Sequence, residues 1–258
     1  MNSPELKITF LGTGTSSGVP MIACNCDVCT SIDTKDKRLR SSILVQSSTT
    51  TIVVDTTPDF RTQMLRENVT QLDAILFTHP HKDHVAGMDD IRAFTYFQNK
   101  PMDIYANELT QEALQRDFFY IFAQDKFPGI ASVNMHTVTH ESFMVGDISI
   151  TPIWVLHLRM PVVGYRFGDI TYITDANQIM ETEKDKIRGS KILIINALRK
   201  KAHISHFTLQ EAIDLSSEIQ IPETYLTHIS HQMGKYEVVS QELPPNIHFG
   251  YDGLQLKV

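Results

Sequence analysis

The segment that most narrows the folds open to this chain is T-H-P-H-K-D-H at residues 78–84, directly after an apolar run. Four strong metal ligands share this loop: His79, His81, Asp83 and His84. Zinc-class ions prefer imidazole and carboxylate ligands, and polar side chains this dense at the end of a buried strand are costly without partners. One short loop cannot close all four around a single ion, so we predict two pairs for two ions. The predicted pairs are His79 with His81 and Asp83 with His84.

Length and charge limit the classes of protein to which this chain can belong. The 258 residues contain no Pro-, Gly- or Ser-rich linker, low-complexity tract or repeat, so we predict one domain, 1–258. The formal net charge of -7 argues against a surface built to bind nucleic acid but permits small anionic substrates. No signal-peptide pattern opens the chain, and no apolar run reaches about 18 residues, so we expect a cytoplasmic location without membrane contact.

Short apolar runs alternate with amphipathic stretches along the chain. The apolar runs predict strands at 8–11, 43–45, 52–55, 74–78, 104–106, 148–156, 162–167, 171–175, 192–195, 224–227 and 254–258. The amphipathic stretches predict helices at 58–67, 87–97, 108–121, 181–187, 208–219 and 235–242. Strand pairs without an intervening helix, at 43–55 and 143–175, predict antiparallel hairpins, and the alternation elsewhere predicts helices outside sheets. The predicted fold class is therefore α/β, a four-layer αββα sandwich.

Further possible ligands stand where predicted strands end. His157, Asp175 and His228 each follow or close a different strand, as the His loop also does. Four strands would thus bring ligands to one edge of the fold. Taken singly, His157 and Asp175 are ordinary strand-end residues, but as an ordered set they indicate a metal site.

This ordered set closely resembles the metallo-β-lactamase superfamily, whose fold is an αββα sandwich. The resemblance implies a division of ligands between two ions: His79, His81 and His157 on the first, Asp83, His84 and His228 on the second, and Asp175 bridging both. A carboxylate suits the bridging place because its two oxygens can each take one ion and offset their combined charge.

Asp55 also closes a predicted strand. The resemblance implies that its carboxylate supports the His loop, because a ligand imidazole needs a partner for its other ring nitrogen. The superfamily usually continues with a glycine two residues later, where this chain has Thr57.

The second constellation, C-x-C-x-x-C at residues 24–29, contains every cysteine of the chain. Three thiols cannot pair completely, and in a cytoplasmic protein such crowding favours metal binding over disulfides. Three thiolates and one imidazole would make a closed tetrahedral zinc site. We predict a structural zinc on Cys24, Cys26, Cys29 and, as the best candidate for the fourth ligand, His231. The alternative is three reduced cysteines in a surface loop.

Several motifs together resemble one branch of the superfamily, the phosphoribosyl cyclic phosphate phosphodiesterases of phosphonate breakdown. These motifs are G-T-G-T-S-S-G-V-P at 12–20, the cysteines, T-H-I-S-H-Q at 227–232 and F-G-Y-D-G at 249–253. The resemblance runs essentially end to end and implies a small, cyclic phosphodiester substrate, the structural zinc and a possible homodimer. Residues 95–145 match least, and variable segments of this kind often build substrate pockets.

The glycine-rich loop at 12–20 has a competing interpretation as a nucleotide cradle. Its spacing is G-x-G-x-x-x-G, it ends in Val-Pro, and no helix start follows to bind a pyrophosphate. We therefore predict a turn that lines the edge holding the metals.

The third constellation is L-R-K-K-A-H-I-S-H at 198–206, ahead of a helix that opens with the capping pair Thr208 and Glu211. Its cations could hold a phosphate, and a histidine could protonate a leaving oxygen. The resemblance implies this role for His206. His203 and the basic run alone are more typical of a solvated surface.

The sequence therefore predicts a phosphodiesterase with two zinc or manganese ions, whose shared hydroxide attacks phosphorus, and with Asp83 and His206 as catalytic residues. Three alternatives remain open. A tRNA 3'-end processing endonuclease of the same superfamily is disfavoured by the acidic charge. A non-haem iron redox enzyme could use the same fold, and a non-catalytic metal-binding protein is disfavoured because no ligand is missing.

Overall fold

The computed structural model describes residues 4–125 and 127–258. Within them the chain forms fifteen strands: β1 (Lys7–Gly12), β2 (Ser42–Gln46), β3 (Thr51–Val54), β4 (Ala74–Leu76), β5 (Met102–Ala106), β6 (Val133–Thr137), β7 (Phe143–Val145), β8 (Ile148–His157), β9 (Met160–Phe167), β10 (Ile170–Ile173), β11 (Gln178–Ile179), β12 (Ile192–Asn196), β13 (Glu223–Thr227), β14 (Ile247–Phe249) and β15 (Gln255–Lys257).

The α-helices are α1 (Phe60–Arg66), α2 (Lys82–Val85), α3 (Arg92–Gln98), α4 (Glu108–Asp117), α5 (Phe119–Phe122), α6 (Glu181–Ile187), α7 (Leu209–Glu218) and α8 (Tyr236–Ser240). Short 3-10 helices lie at Thr34–Asp36, Ala86–Ile91 and His231–Met233. In the described ranges, no helix is long and apolar enough to cross a membrane.

The strands form two mixed sheets. The first sheet has the order β15-β1-β2-β3-β4-β5-β6, and the second has the order β11-β8-β9-β10-β12-β13-β14, with β7 beside β8. The predicted hairpins are antiparallel, both between β2 and β3 and along β7, β8, β9 and β10. Strands β3, β4 and β5 are parallel, as are β10, β12 and β13, so their carboxyl ends share an edge within each sheet.

Both faces of the two sheets are covered, which explains the nearly continuous apolar runs in the sequence. Side chains alternate along a strand, so Ala74 and Leu76 face the other sheet while Ile75 faces helices α1 and α3. In the second sheet, Val163 packs between the sheets and Val162 packs against helices. These layers confirm the predicted αββα sandwich.

All predicted strands and helices are present, with shifted ends. The strand predicted at 74–78 ends at Leu76, and the helix predicted at 108–121 is interrupted at Phe118. Strand β6 was not predicted because it is a polar, half-exposed edge strand, and β11 and β14 have only two and three residues. Helix α2 was also missed, because the ligand spacing of the His loop masks its helical pattern.

Candidate metal centre

The predicted ligands converge at one edge, where both sheets end. Their donor atoms form groups that lie within 4.8 Å: Asp83, His84, Asp175 and His228; His79, His81 and Asp175; and His157, Asp175 and His206. Asp175 belongs to every group. The ring of His157 lies 5.1 Å from that of His81 and 5.8 Å from that of His79, between centroids. The structure therefore brings His157 beside the predicted first-ion ligands and also places it beside His206.

The two oxygens of Asp175 face different ligands. Oδ1 lies 2.9 Å from His228 Nδ1 and 3.4 Å from His84 Nε2. Oδ2 lies 3.7 Å from His79 Nε2. Ligand atoms that share an ion at about 2.0–2.1 Å lie about 3–3.5 Å apart, so these separations fit a carboxylate that bridges two cations. The carboxylate is 2% exposed and therefore has little water to stabilise its charge.

The surroundings of His84 Nε2 indicate whether a cation fits this centre. The atom is buried and makes no hydrogen bond with the described residues, although oxygens of Asp83 and Asp175 lie 3.2 and 3.4 Å away. On the other side of the ring, Nδ1 donates to Asp55 at 2.7 Å, which leaves a lone pair on Nε2. The carboxylates of Asp83 and Asp175 require positive charge at this position, which either a proton on Nε2 or a divalent metal bound to its lone pair would supply, so the donor set fits a metal.

Asp55 orients two imidazoles of the His loop. Its Oδ2 accepts from His84 Nδ1 at 2.7 Å and from the Thr78 hydroxyl at 2.8 Å. That hydroxyl lies 2.9 Å from His79 Nδ1 and accepts its hydrogen, so Nε2 of His79 is also left for a metal. Thr57, which stands where the superfamily usually has glycine, donates from its hydroxyl to Gln63 at 3.0 Å. The structure thus gives Asp55 the geometry that the resemblance implied.

Three residues of the centre adopt left-handed backbone conformations that are uncommon for residues other than glycine. The φ angles are 68° at Asp55, 55° at Asp175 and 53° at His228. Asp55 and His228 directly follow a strand, and Asp175 follows one after a single residue. Such conformations cost free energy and persist where the surroundings enforce them. Each one turns the chain sharply at the shared edge of the sheets, which is the place where a ligand is needed.

Buried charge governs the ionisation of the centre. Burial favours the neutral His84 ring, but Asp175, Asp83 and Asp55 outweigh it and raise the pKa of His84 well above its ordinary value. Burial, together with the positive charge of His84, lowers the pKa of His79 well below that value. Against burial, His228 and His84 hold the pKa of Asp175 well below its usual range. The carboxylates of Asp83 and Asp175 therefore stay ionised and favour positive charge between them.

His157 and His206 are held by the loop at 198–206. His157 Nδ1 donates to the carbonyl of Ser205 at 2.7 Å, which turns Nε2 of that ring toward the centre. His206 Nε2 lies 3.2 Å from Asp175 Oδ2, and the His206 ring stacks on His228 with centroids 5.0 Å apart. Sequence reasoning missed Ser205, because a backbone carbonyl gives no residue-type signal.

The basic residues at 199–201 of this loop contact protein groups instead of forming a phosphate site. The guanidinium of Arg199 donates to the carbonyls of Lys201 and Ala202 and to the side chain of Gln232. Lys200 pairs with Glu242 on the surface. These contacts agree with the solvated-surface interpretation and indicate that Arg199 shapes the loop.

The glycine-rich loop lines the metal edge, as predicted. The Thr15 hydroxyl lies 3.2 Å from His228 Nε2, and Gly14 bridges Arg40 and Ile229. A Cβ at Gly14 would lie 2.9 Å from the Arg38 carbonyl oxygen, so this close backbone approach requires glycine.

The three cysteines and His231 also meet, as predicted. His231 Nδ1 lies 3.4 Å from Cys24 Sγ and 3.3 Å from Cys26 Sγ, and all four donor atoms lie within 4.8 Å. Ligands of a tetrahedral zinc ion with bonds of about 2.3 and 2.0 Å lie about 3.5 Å apart. A hydrogen bond with His231 lowers the pKa of Cys26 to about 6, whereas burial raises the pKa of Cys29 to about 11. The donor set fits a closed zinc site.

Comparison with known proteins places this geometry in a family. A model described as a beta-lactamase superfamily domain matches residues 50–229. A diphosphatase of the PhnP family has a similar structure, with a TM-score of 0.93, 39% identity, and coverage of 98% of this chain and 97% of that one. Zinc-bound PqqB from Methylobacterium extorquens is similar in fold, with a TM-score of 0.81, 21% identity, and coverage of 98% and 100%.

A curated relative carries a different name. An octanoyltransferase of Porphyromonas gingivalis is 37% identical over 253 residues, which cover 97% of this chain and 51% of that protein. The chain spans about half the length, or less, of the curated relatives that it matches.

We predict that Asp55→Asn weakens metal binding at the centre by about 10–100-fold, because its NH2 group must face either the Thr78 N–H or the donors on His84 and the Thr78 hydroxyl, all of which need an acceptor. Competition with a chromogenic chelator measures this loss. Asp147→Asn is the matched control, since Asp147 accepts hydrogen bonds from the hydroxyls of Ser47 and Thr50 and from no residue of the centre. Equal metal affinity in the two variants would contradict the role of Asp55.

We predict that Cys26→Ser removes one equivalent of zinc and mainly lowers thermal stability, because a serine hydroxyl is a poor zinc ligand and the closed site would open. Metal analysis and thermal unfolding measure both effects. The exposed neighbour Asn25 provides the control variant Asn25→Ala. An unchanged zinc content and melting temperature in Cys26→Ser would refute the zinc site.

Proposed function

Because the chain belongs to the metallo-β-lactamase superfamily, within its PhnP family, we propose that it is a hydrolase with two divalent metal ions that cleaves a small phosphodiester. The observation that carries the proposal is the division of Asp175 between two ligand groups. When bound, two zinc or manganese ions would supply a polarised water as nucleophile and offset the charge that develops on the phosphoryl oxygens.

The ligands that we propose keep the roles implied by the resemblance. His79, His81 and His157 would hold one ion, Asp83, His84 and His228 would hold the other, and Asp175 would be shared by both. Asp83 is the most accessible carboxylate of the centre, and against burial its neighbour His84 holds its pKa well below the usual range. It therefore stays ionised and can orient the attacking water. His206 serves as the proton donor to the leaving oxygen.

His206 is suited to that role by its position. Its side chain is 11% exposed, and its Nε2 faces Asp175, whose carboxylate favours the protonated ring and opposes the lowering of the His206 pKa by burial. Its other nitrogen lies 3.1 Å from the Ser205 hydroxyl and 3.2 Å from His203. The ring is therefore held beside the proposed metal site by contacts on both sides, and a proton that it gives up can be replaced through the half-buried His203.

The favoured substrate is a small cyclic phosphodiester. The segment at 95–145 packs against the His loop: Lys82 pairs with Asp117, and the Tyr120 hydroxyl donates to Asp89 at 3.0 Å. These contacts support a role for helices α4 and α5 as one wall of the substrate pocket. The diphosphatase relative, at 39% identity, favours a P–O–P linkage as the second candidate.

The octanoyltransferase similarity supports no acyl-transfer proposal. That protein is about twice as long as this chain, so its named activity can lie in the part without a counterpart here. The three cysteines, which could otherwise carry an acyl group, lie together at His231.

We predict that the protein loaded with zinc or manganese hydrolyses bis(p-nitrophenyl) phosphate, and that Asp175→Ala abolishes the activity because neither ion keeps its shared ligand. A cyclic ribose phosphodiester and ADP-ribose, assayed in parallel by phosphorus NMR, separate the cyclic from the P–O–P substrate. Precursor tRNA tests the endonuclease alternative, and bound iron with oxygen consumption tests the redox alternative. If the metal centre is fully occupied and none of these phosphoryl substrates is cleaved, the proposal is refuted.

We predict that His206→Ala slows cleavage of diesters with an alkyl leaving group by about 10²–10⁴-fold, because an alkoxide needs a proton in the transition state. Release of p-nitrophenolate needs no proton and should change far less. Lys201→Ala, which changes an exposed side chain of the same loop, is the matched control. An equal loss with both leaving groups would assign His206 to metal or substrate binding instead.

A further inference from the structure

Strand β12 ends at the same edge as the strands that carry ligands, yet its last residue is an asparagine. Asn196 lies between the ends of β10 and β13, beside Thr227 in the parallel register. Its side chain is fully buried. The amide contacts no ligand of the centre directly, so its place at this edge needs another explanation.

The Asn196 amide makes two hydrogen bonds to the backbone of a single residue. Its Oδ1 accepts from the N–H of Ala176 at 2.8 Å, and its Nδ2 donates to the carbonyl of Ala176 at 2.9 Å. Ala176 follows Asp175, whose φ of 55° starts the turn out of β10. The paired bonds fix both peptide groups that flank Ala176, and the first of them is the peptide group of Asp175 itself.

The carbonyl of Ala176 also connects the turn out of β10 to the loop at 198–206. The N–H of Phe207, the residue after His206, donates to the Ala176 oxygen at 2.8 Å. The N–H of Ala197 donates to the Thr227 carbonyl at 2.9 Å, just before His228. Asn196 therefore stands where the backbones that carry Asp175, His206 and His228 meet.

We infer that Asn196 is a positioning residue that holds Asp175 in its left-handed turn, so that its two oxygens stay divided between the two ligand groups. The inference rests on the proposed metal centre. The strain at Asp175 persists only if the surroundings enforce it, and a buried bidentate amide is the group that supplies this constraint. Without it, the carboxylate can relax away from one of the two groups.

Two variants test the inference through metal affinity. Asn196→Leu removes both bonds at similar volume, and Asn196→Asp keeps the acceptor but sets a second oxygen against the Ala176 carbonyl. We expect each to weaken zinc binding at the centre by about 10–100-fold, measured by chelator competition with the cysteine site already loaded. For Asn196→Asp, kcat should fall more than KM changes, because the displaced carboxylate of Asp175 acts on the reacting groups.

Asn107→Ala is the matched control, because Asn107 is a buried asparagine that caps α4 by accepting from the Thr110 N–H at 2.9 Å. It should lower the melting temperature and leave zinc affinity within about twofold of the wild type. Zinc affinity within about twofold for both Asn196 variants would overturn the inference, since the expected loss is about tenfold or more.

A measurement on the wild type keeps the inference testable if both variants fail to fold. The side-chain amide signal of Asn196 in nitrogen-proton NMR should shift during a zinc titration and saturate together with the His228 ring signals. An Asn196 amide signal whose chemical shift does not change during the zinc titration would overturn the inference. A protein that binds zinc but hydrolyses no phosphoryl substrate would contradict the proposed function, while the zinc data alone decide the role of Asn196.

Discussion

The carboxylate of Asp175 is the interaction on which the rest of the structure depends. It is almost fully buried, it faces every imidazole group of the centre, and it lies in a backbone conformation that costs free energy. A buried anion of this kind is stable only when positive charge surrounds it. The strands of the second sheet bring ligands to this carboxylate, the turn out of β10 positions it, and Asp55 orients the His84 ring beside it. All three features are consistent with cations in the space between the ligands.

The sequence could predict those features that depend on residue type and spacing. Apolar runs predicted both sheets because their central strands are buried on both faces. The ligands were found because strands that share a direction end at one edge. The carbonyl of Ser205, the Thr78 hydroxyl and the Asn196 amide could not be predicted, because they act through hydrogen bonds between residues distant in the chain. Strand β6 escaped because half-exposed polar residues resemble a loop, and the fourth ligand of the cysteine site was found only as a best candidate among the histidines.

The two ligand clusters differ in the way that separates a reactive from a structural site. The cysteine cluster has four donors of the closed tetrahedral type, and it lies on a loop fastened to the 3-10 helix at His231–Met233. The centre around Asp175 has more donors than one ion can use, and His81 and Asp83 remain accessible at its mouth. An accessible side leaves room for water and substrate, whereas a closed shell leaves none. These donor sets support the proposal of a structural site at the cysteines and a reactive site around Asp175.

The ligands of the centre come from both sheets, since the His loop follows β4 in the first sheet while His157, Asp175 and His228 end strands of the second. Ions held there act as cross-links between two layers that are otherwise joined mainly by side-chain packing. Folding and metal uptake are then thermodynamically linked, and each tenfold rise in free metal above the dissociation constant adds about 1.4 kcal/mol per site to the stability of the folded chain. If the proposed ions bind there, the stability of the sandwich would follow the concentration of free metal.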